Sequence, residues 1–303
     1  MSTMPDHPFH STRRAGAGRS ALLAASLLAC AATLPAGAEG SRQLATGGAS
    51  TIEGSAGGGI VPWAVISGYT TREEIGATAF ATRVDTGDYT LSASGATVGL
   101  FNRVELSVAR EDLDLIALGP ALGLPGAHLR QNIIGAKVRL VGDVLYTKWP
   151  QISLGVQYKK QKDFTIPGLV GADDDSGVDV YLSATKVFLG GFGNFNAFIN
   201  GTARLTRANE TGLLGFGSTN HTGRHLNLEA STGVLLSRRF AIGAEYRQKR
   251  SNLAGLPEDA WRDVFIGWFP NRHFSVVLAW ADLGTVATLH NQTGWYLSLQ
   301  GAF

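Results

Sequence analysis

The side chains able to do chemistry in this chain are charged groups that recur at every second residue among apolar ones. Lys137 and Arg139 alternate with Ala136, Val138 and Leu140, while Glu245, Arg247 and Lys249 alternate with Ala244 and Tyr246. Lys159 follows Gln157 across Tyr158, Arg204 opposes Ala203, Glu229 opposes Leu228, and Glu105 and Asp179 fall on the polar side of their segments. Residues two apart share one face of a strand. Six basic and four acidic groups are therefore expected on the polar face of a set of strands whose other face is apolar. Turned toward lipid at mid-membrane, such a charge costs about 2–4 kcal/mol, so these ten should point into a lumen. Their chemistry is ionic. Either they pair across a narrow closed lumen, or they line a water-filled path and select small polar solutes, with a weak anion preference from the basic excess.

Other chemistries find less support. The histidines after residue 38, His128, His221, His225, His273 and His290, all lie in or near connections between strand-like runs. Ser218 and His221 share one loop, but the sequence Thr219-Asn220-His221-Thr222-Gly223 lacks the His-x-Ser-Asn order of barrel phospholipases, so no lipase or protease activity is expected. Asp173-Asp174-Asp175 could offer oxygen ligands to Ca²⁺ or to cations bridging lipopolysaccharide, but solvated surface acids are the simpler reading. The glycines at 57–59 are followed by no Lys-Ser/Thr and open no helix, which argues against a phosphate loop. No catalytic residue, cofactor or resident metal is indicated.

The elements positioning these groups read as strands. Runs rich in Val, Ile, Thr and aromatics, or alternating with period two, occupy 75–84, 89–100, 104–115, 132–142, 151–162, 178–188, 195–206, 224–236, 240–250, 261–269, 274–283 and 294–303. Most have the roughly 9–11 residues that cross a bilayer at barrel tilt. Counted back from the C-terminus, the connections alternate long and short, and only 85–88 is short where a long one is due. Outer-membrane barrels show this alternation of short periplasmic turns and long extracellular loops. Aromatics mark two rims: Phe101, Tyr146, Trp149, Phe188, Phe192, Phe240, Phe269 and Phe274 on the periplasmic side, and Tyr158, Trp261, Trp280 and Trp295 on the other.

The last strand adds a signal of its own. Trp295, Leu297, Leu299, Gly301 and Phe303 share one face, and the sequence ends on the aromatic. This resembles the C-terminal strand of bacterial outer-membrane proteins, which implies recognition by the barrel assembly machinery through Phe303, Leu299, Leu297 and Trp295.

At the other end, Arg13, Arg14 and Arg19 precede an apolar stretch, Ala21 to Leu34, and the small-x-small site Ala36-Gly37-Ala38. This predicts a signal peptide over 1–38 that is cleaved during export through the inner membrane. Cys30 within Leu27-Leu28-Ala29-Cys30 leaves lipidation as an alternative. Removing 1–38 takes three Arg and one Asp, leaving 26 − 3 = 23 basic and 24 − 1 = 23 acidic side chains. A neutral chain offers nothing to nucleic acid. Residues 39–72 are glycine-rich and carry Pro62, which cannot donate to a central ladder. They read as a lead-in or plug segment ahead of a barrel over 73–303, or as a hairpin over 44–69 that adds two strands.

The segment Gly57-Gly58-Gly59-Ile60-Val61-Pro62-Trp63-Ala64, followed by Ile75-Gly76-Ala77-Thr78-Ala79-Phe80, resembles an uncharacterised proteobacterial family of exported, barrel-like proteins, domain of unknown function 3034. The resemblance implies location and fold and transfers no site. The expectation is an all-β transmembrane antiparallel barrel of about twelve strands, alternatively fourteen, in a Gram-negative outer membrane. Its partners would be membrane lipid, lipopolysaccharide, the assembly machinery and small solutes. The expected function is a porin-like channel, with a closed-lumen structural or surface-interaction protein as the alternative.

Overall fold

The computed structural model describes residues 47–68, 70–219 and 222–303. The expected signal peptide, Cys30 and His221 lie outside the described residues. Two very short strands come first, β1 (Ala49–Ser50) and β2 (Ala56–Gly57), paired only with each other. Then follow β3 (Ile75–Asp85), β4 (Thr90–Leu100), β5 (Val104–Asp114), β6 (His128–Val141), β7 (Gln151–Gln161) and β8 (Ser176–Phe192). The series ends with β9 (Phe195–Thr206), β10 (His225–Leu235), β11 (Phe240–Arg247), β12 (Trp261–Asn271), β13 (Phe274–Asp282) and β14 (Thr293–Ala302).

Among the described residues, β3 to β14 form one closed twelve-strand barrel in which each strand pairs antiparallel with its neighbours in sequence. The ring closes where β14 pairs with β3, from Trp295 opposite Asp85 to Ala302 opposite Thr78. Closure leaves no strand edge unpaired, which an outer-membrane barrel requires in a solvent that offers its backbone no partners. The fourteen-strand alternative is thereby corrected. Residues 49–57 do form a small hairpin, but it joins no barrel strand, and Pro62 makes only an isolated bridge to Gly57.

Period-two burial explains the two faces. Along β7 the buried set is Gln151, Ser153, Gln157, Lys159 and Gln161, while Leu154, Val156 and Tyr158 are exposed to the outside. The outer surface is a belt of Ile134, Ile199, Leu228, Val264, Leu278 and Leu297, and bilayer contact is what makes that much exposed apolar surface favourable. Aromatic pairs sit near both rims of this belt. Trp280 meets Trp295 edge-on at 5.0 Å on one, and Phe240 stacks on Trp268 at 6.5 Å on the other.

At the periplasmic rim several connections are tight turns. Gly193 and Asn194 both take positive φ, the geometry of a two-residue hairpin turn that matches strand twist. The three ladder irregularities, at Arg139/Val141, Phe188/Phe192 and Trp268/Asn271, lie at that end too. One of them explains a difference from expectation: β8 runs on to Phe192 through Gly190-Gly191, which reads as a turn in sequence but is an irregular strand end here. Two expected rim aromatics also turn inward. Trp261 and Phe269 are buried, because they share parity with Asp263 and Phe265 on the inner face of β12.

Candidate functional site

The barrel interior is occupied by the chain's own N-terminal stretch. Every residue from Gly47 to Ser67 is buried. This backbone is mostly irregular, so its polar groups need partners from outside any ladder. The lumen supplies them. The carbonyl of Pro62 accepts from Ser183 Oγ, Asn200 Nδ2 and Thr202 Oγ1 at 3.1, 3.3 and 2.8 Å. Ala64 donates to Thr185 Oγ1 and accepts from Gln151 and Ser153. The Trp63 indole donates to Ser231 Oγ at 2.9 Å, and its ring packs against Phe198 at 4.6 Å.

Three clusters around buried carboxylates fix the segment, two of them ionic. The first centres on Glu53, whose carboxylate lies 2.6 Å from Lys159 Nζ, 2.6 Å from Arg247 Nη2 and 3.2 Å from Arg204 Nη1. Asp179 and Glu229 complete it, at 2.8 Å from Lys159 and 2.6 Å from Arg204 respectively. The Arg204 guanidinium also lies over the Tyr181 ring at 5.2 Å. The second cluster pairs Glu105 with Lys137 at 3.0 Å. Glu105 accepts from the backbone N–H of Ala56 and Ser67, while Lys137 donates to the carbonyls of Ala56 and Trp63. In the third, Glu245 accepts from the backbone N–H groups of Gly59 and Ile60 at 2.6 and 2.8 Å and from Ser231 Oγ at 2.6 Å. This explains the glycine run: a Cβ on Gly58 would stand 1.9 Å from Glu245 Oε1.

Of the ten charges singled out in the sequence, eight thus meet around the inner segment. Two stand apart. Arg139 lies at the periplasmic end, donating to Gly142 O and pairing with Asp143 at 3.0 Å. Lys249 lies toward the external mouth, 2.6 Å from Glu210 and 3.9 Å from Glu258, with its ammonium 4.8 Å from the Trp261 ring. Burial and the neighbouring Glu210 carboxylate push the Glu258 carboxyl up to about 8, against the pull of Lys249. At the other rim burial raises Asp143, but the N–H groups of Leu145 and Tyr146 and the Arg139 charge outweigh it and hold that carboxyl below its usual range.

Five buried acids near these clusters were not singled out in the sequence. Glu111, hydrogen-bonded by Gln131, shares its parity with Glu105 and could have been found by it. Asp263 hides on an inner face of β12 made otherwise of Trp261, Phe265, Gly267 and Phe269, and Glu53 sits where no periodicity marks a direction. Glu210 and Glu258 belong to loops. The remaining polar groups weighed earlier resolve into ordinary contacts. Asp174 and Asp175 pair with Arg207 and Lys160, each at 2.6 Å, and Ser218 Oγ donates to the Asn252 carbonyl at 2.7 Å. Trp295 and Leu297 face outward, and Phe303 exchanges two backbone hydrogen bonds with Ala77.

A family described as protein of unknown function (DUF3034) matches residues 46–300. No curated protein matches this chain. Among solved structures, the outer membrane protein Omp33 of Acinetobacter baumannii is similar at 9% identity and a TM-score of 0.42, covering 76% of this chain and 97% of its own. The KdgM porin is similar at 8% identity and a TM-score of 0.45, covering 75% and 99%. The NanC porin is similar at 7% identity and a TM-score of 0.46, covering 75% and 98%.

Proposed function

The chain belongs to the DUF3034 family, and we propose that it is an outer-membrane channel for small polar solutes whose resting state is closed by its own segment 47–68. The observation that carries this reading is the position of Glu53, a single carboxylate within ion-pair distance of three lumen bases drawn from β7, β9 and β11. A structural filler is served as well by apolar packing, since replacing a buried ion pair by well-packed hydrophobic groups is often neutral or stabilising. An ionic clamp differs in being releasable by competing charge.

On this reading the anion preference depends on the clamp. With Glu53, Glu111 and Asp263 counted, the closed lumen holds no basic excess. Withdrawal of the segment takes Glu53 away and leaves Lys159, Arg204 and Arg247 with Asp179 and Glu229 as their ion-pair partners, so on this reading the preference is a local property of the open state at these three bases. Single-channel recording of residues 39–303 in a planar bilayer, under a salt gradient, tests this. Rare openings that become frequent and weakly anion-selective in Glu53→Gln are expected. A second reading, a closed-lumen scaffold, is favoured by the dense pairing of the same groups. Silence from both proteins, each shown to be folded by heat-modifiable mobility, would establish it instead.

A further inference from the structure

Glu53 meets its three bases as a ligand would, and the barrel orients those bases without it. Arg204 is fixed by Glu229, which accepts from its Nε at 2.6 Å and its Nη2 at 3.4 Å, by Gln157 Oε1 at 2.8 Å from Nη1, and by the Tyr181 ring beneath it. Lys159 pairs with Asp179 at 2.8 Å and donates to the Thr211 carbonyl at 3.0 Å. Arg247 lies 3.6 Å from Glu229, with its guanidinium 5.9 Å from the Trp261 ring. All of these partners belong to barrel strands or to the connection after β9, and none to the inner segment. Bases already held by other contacts lose little freedom when an anion arrives, which is the condition for a binding site.

Glu53 also leaves part of this site unused. Its Oε1 accepts from both Lys159 and Arg247 at 2.6 Å, while Oε2 stands 3.2 Å from Arg204 Nη1 and makes no hydrogen bond. Gln157, whose Oε1 accepts from that same Nη1, has its Nε2 buried with no acceptor. Buried polar atoms are rarely left so. A carboxylate carried on a docked backbone meets its donors in one orientation, whereas a free one turns both oxygens onto them. The charge count sets its valence. Asp179 and Glu229 are the barrel's ion-pair partners for the three bases, so one positive charge is left for Glu53 to balance. The site also faces the incoming solute: Arg247 is the last residue of β11, and Lys159 and Arg204 lie two short of the external ends of β7 and β9.

We propose that the solute of this barrel is a small monocarboxylate, whose carboxylate takes the place of Glu53 among Lys159, Arg204 and Arg247 and thereby releases the segment. A dianion would leave one buried negative charge uncompensated there, and a neutral solute would leave one positive charge so. This inference rests on the channel reading above, but its test reads binding, so the two fail separately.

The experiment is isothermal titration calorimetry of the Glu53→Gln barrel in nanodiscs with sodium gluconate, with sorbitol as the probe of the same carbon chain lacking the carboxylate. Saturable gluconate binding is expected, at least tenfold tighter than to the wild-type protein, in which Glu53 competes. Adding Arg247→Gln should weaken it at least tenfold, and each protein is checked for folding by heat-modifiable mobility. Sorbitol should give no saturable heat, and sulfate should bind at least fivefold more weakly than gluconate. No gluconate binding to folded Glu53→Gln would overturn the site. An affinity unchanged by Glu53→Gln or by Arg247→Gln, or equal binding of sorbitol, would do the same. Sulfate binding as tight as gluconate would overturn the single-charge assignment. A Glu53→Gln protein that conducts without binding gluconate keeps the channel and loses the monocarboxylate, and one that binds without conducting keeps the site and loses the channel.

Discussion

Glu53 Oε1 lies 2.6 Å from Lys159 Nζ, an ion pair between the inner segment and the external half of β7 with both side chains fully buried. Breaking a buried pair by removing one partner costs about 3–5 kcal/mol, because the other charge is left uncompensated. Glu53→Gln should therefore undock the segment while the barrel ladder of β3 to β14 persists. Maleimide labelling of Ile52→Cys, a position buried in the docked segment, measures it. Labelling should accelerate at least tenfold when Glu53→Gln is added, and an unchanged rate would show that Glu53 does not hold the segment.

Gly58 gives a steric route to the same state. Its missing Cβ leaves room for the Glu245 carboxylate, so Gly58→Val drives a branched side chain into Oε1 and breaks the hydrogen bonds from Gly59 and Ile60. The expected outcome is faster labelling at Ile52→Cys with unchanged heat-modifiable mobility. Gly201, which has no neighbour near its Cβ direction, is the control, and Gly201→Ala should leave labelling alone.

The external loops should loosen in alkali. The Glu258 carboxyl is raised by burial and by Glu210 from its ordinary value to about 8. A carboxyl whose folded pKa is raised holds its proton more tightly in the folded state, so its stabilising share is complete below about 4.5 and is lost as pH rises through about 8. Proteolysis within 248–260 should be slower at pH 6 than at pH 9, and Glu258→Gln should flatten that dependence. A profile equally steep in the variant would assign the titration elsewhere.

Phe303→Ala tests the terminal residue. The backbone bonds of Phe303 to Ala77 survive the change, so the refolded variant should keep its thermal stability. Its assembled fraction in the outer membrane should fall several-fold. Equal loss in both assays would make Phe303 a packing residue rather than an assembly signal.

Strand number and the inward direction of the charges were legible in the sequence because alternation and membrane length are local properties. Lys137 and Glu105 could be assigned to the lumen from their immediate neighbours alone, and both are buried there. Trp261 shows where local reading stops. An aromatic at a rim is equally at home in lipid or under a loop dome, and only the parity of Asp263 and Phe265 turns it inward. Glu53 was illegible for a deeper reason. Its partners lie on β7, β9 and β11, and an irregular backbone has no period from which direction could be read. The glycines at 57–59 signalled close packing without saying against what.

The inner segment is joined to the barrel through residues 70–74, which lead into β3 at the periplasmic rim. A segment released from the lumen therefore stays tethered beside the opening it left. A short linker of this kind keeps its cargo at an effective concentration on the order of millimolar. Reclosure is then a first-order event whose rate does not depend on how much protein is present. A free peptide of the same sequence, supplied at micromolar level, would be outcompeted by the covalent copy. Lasting patency needs either a solute that occupies the vacated bases or a periplasmic factor that holds the segment, and the lifetime of each opening would report which of the two is at work.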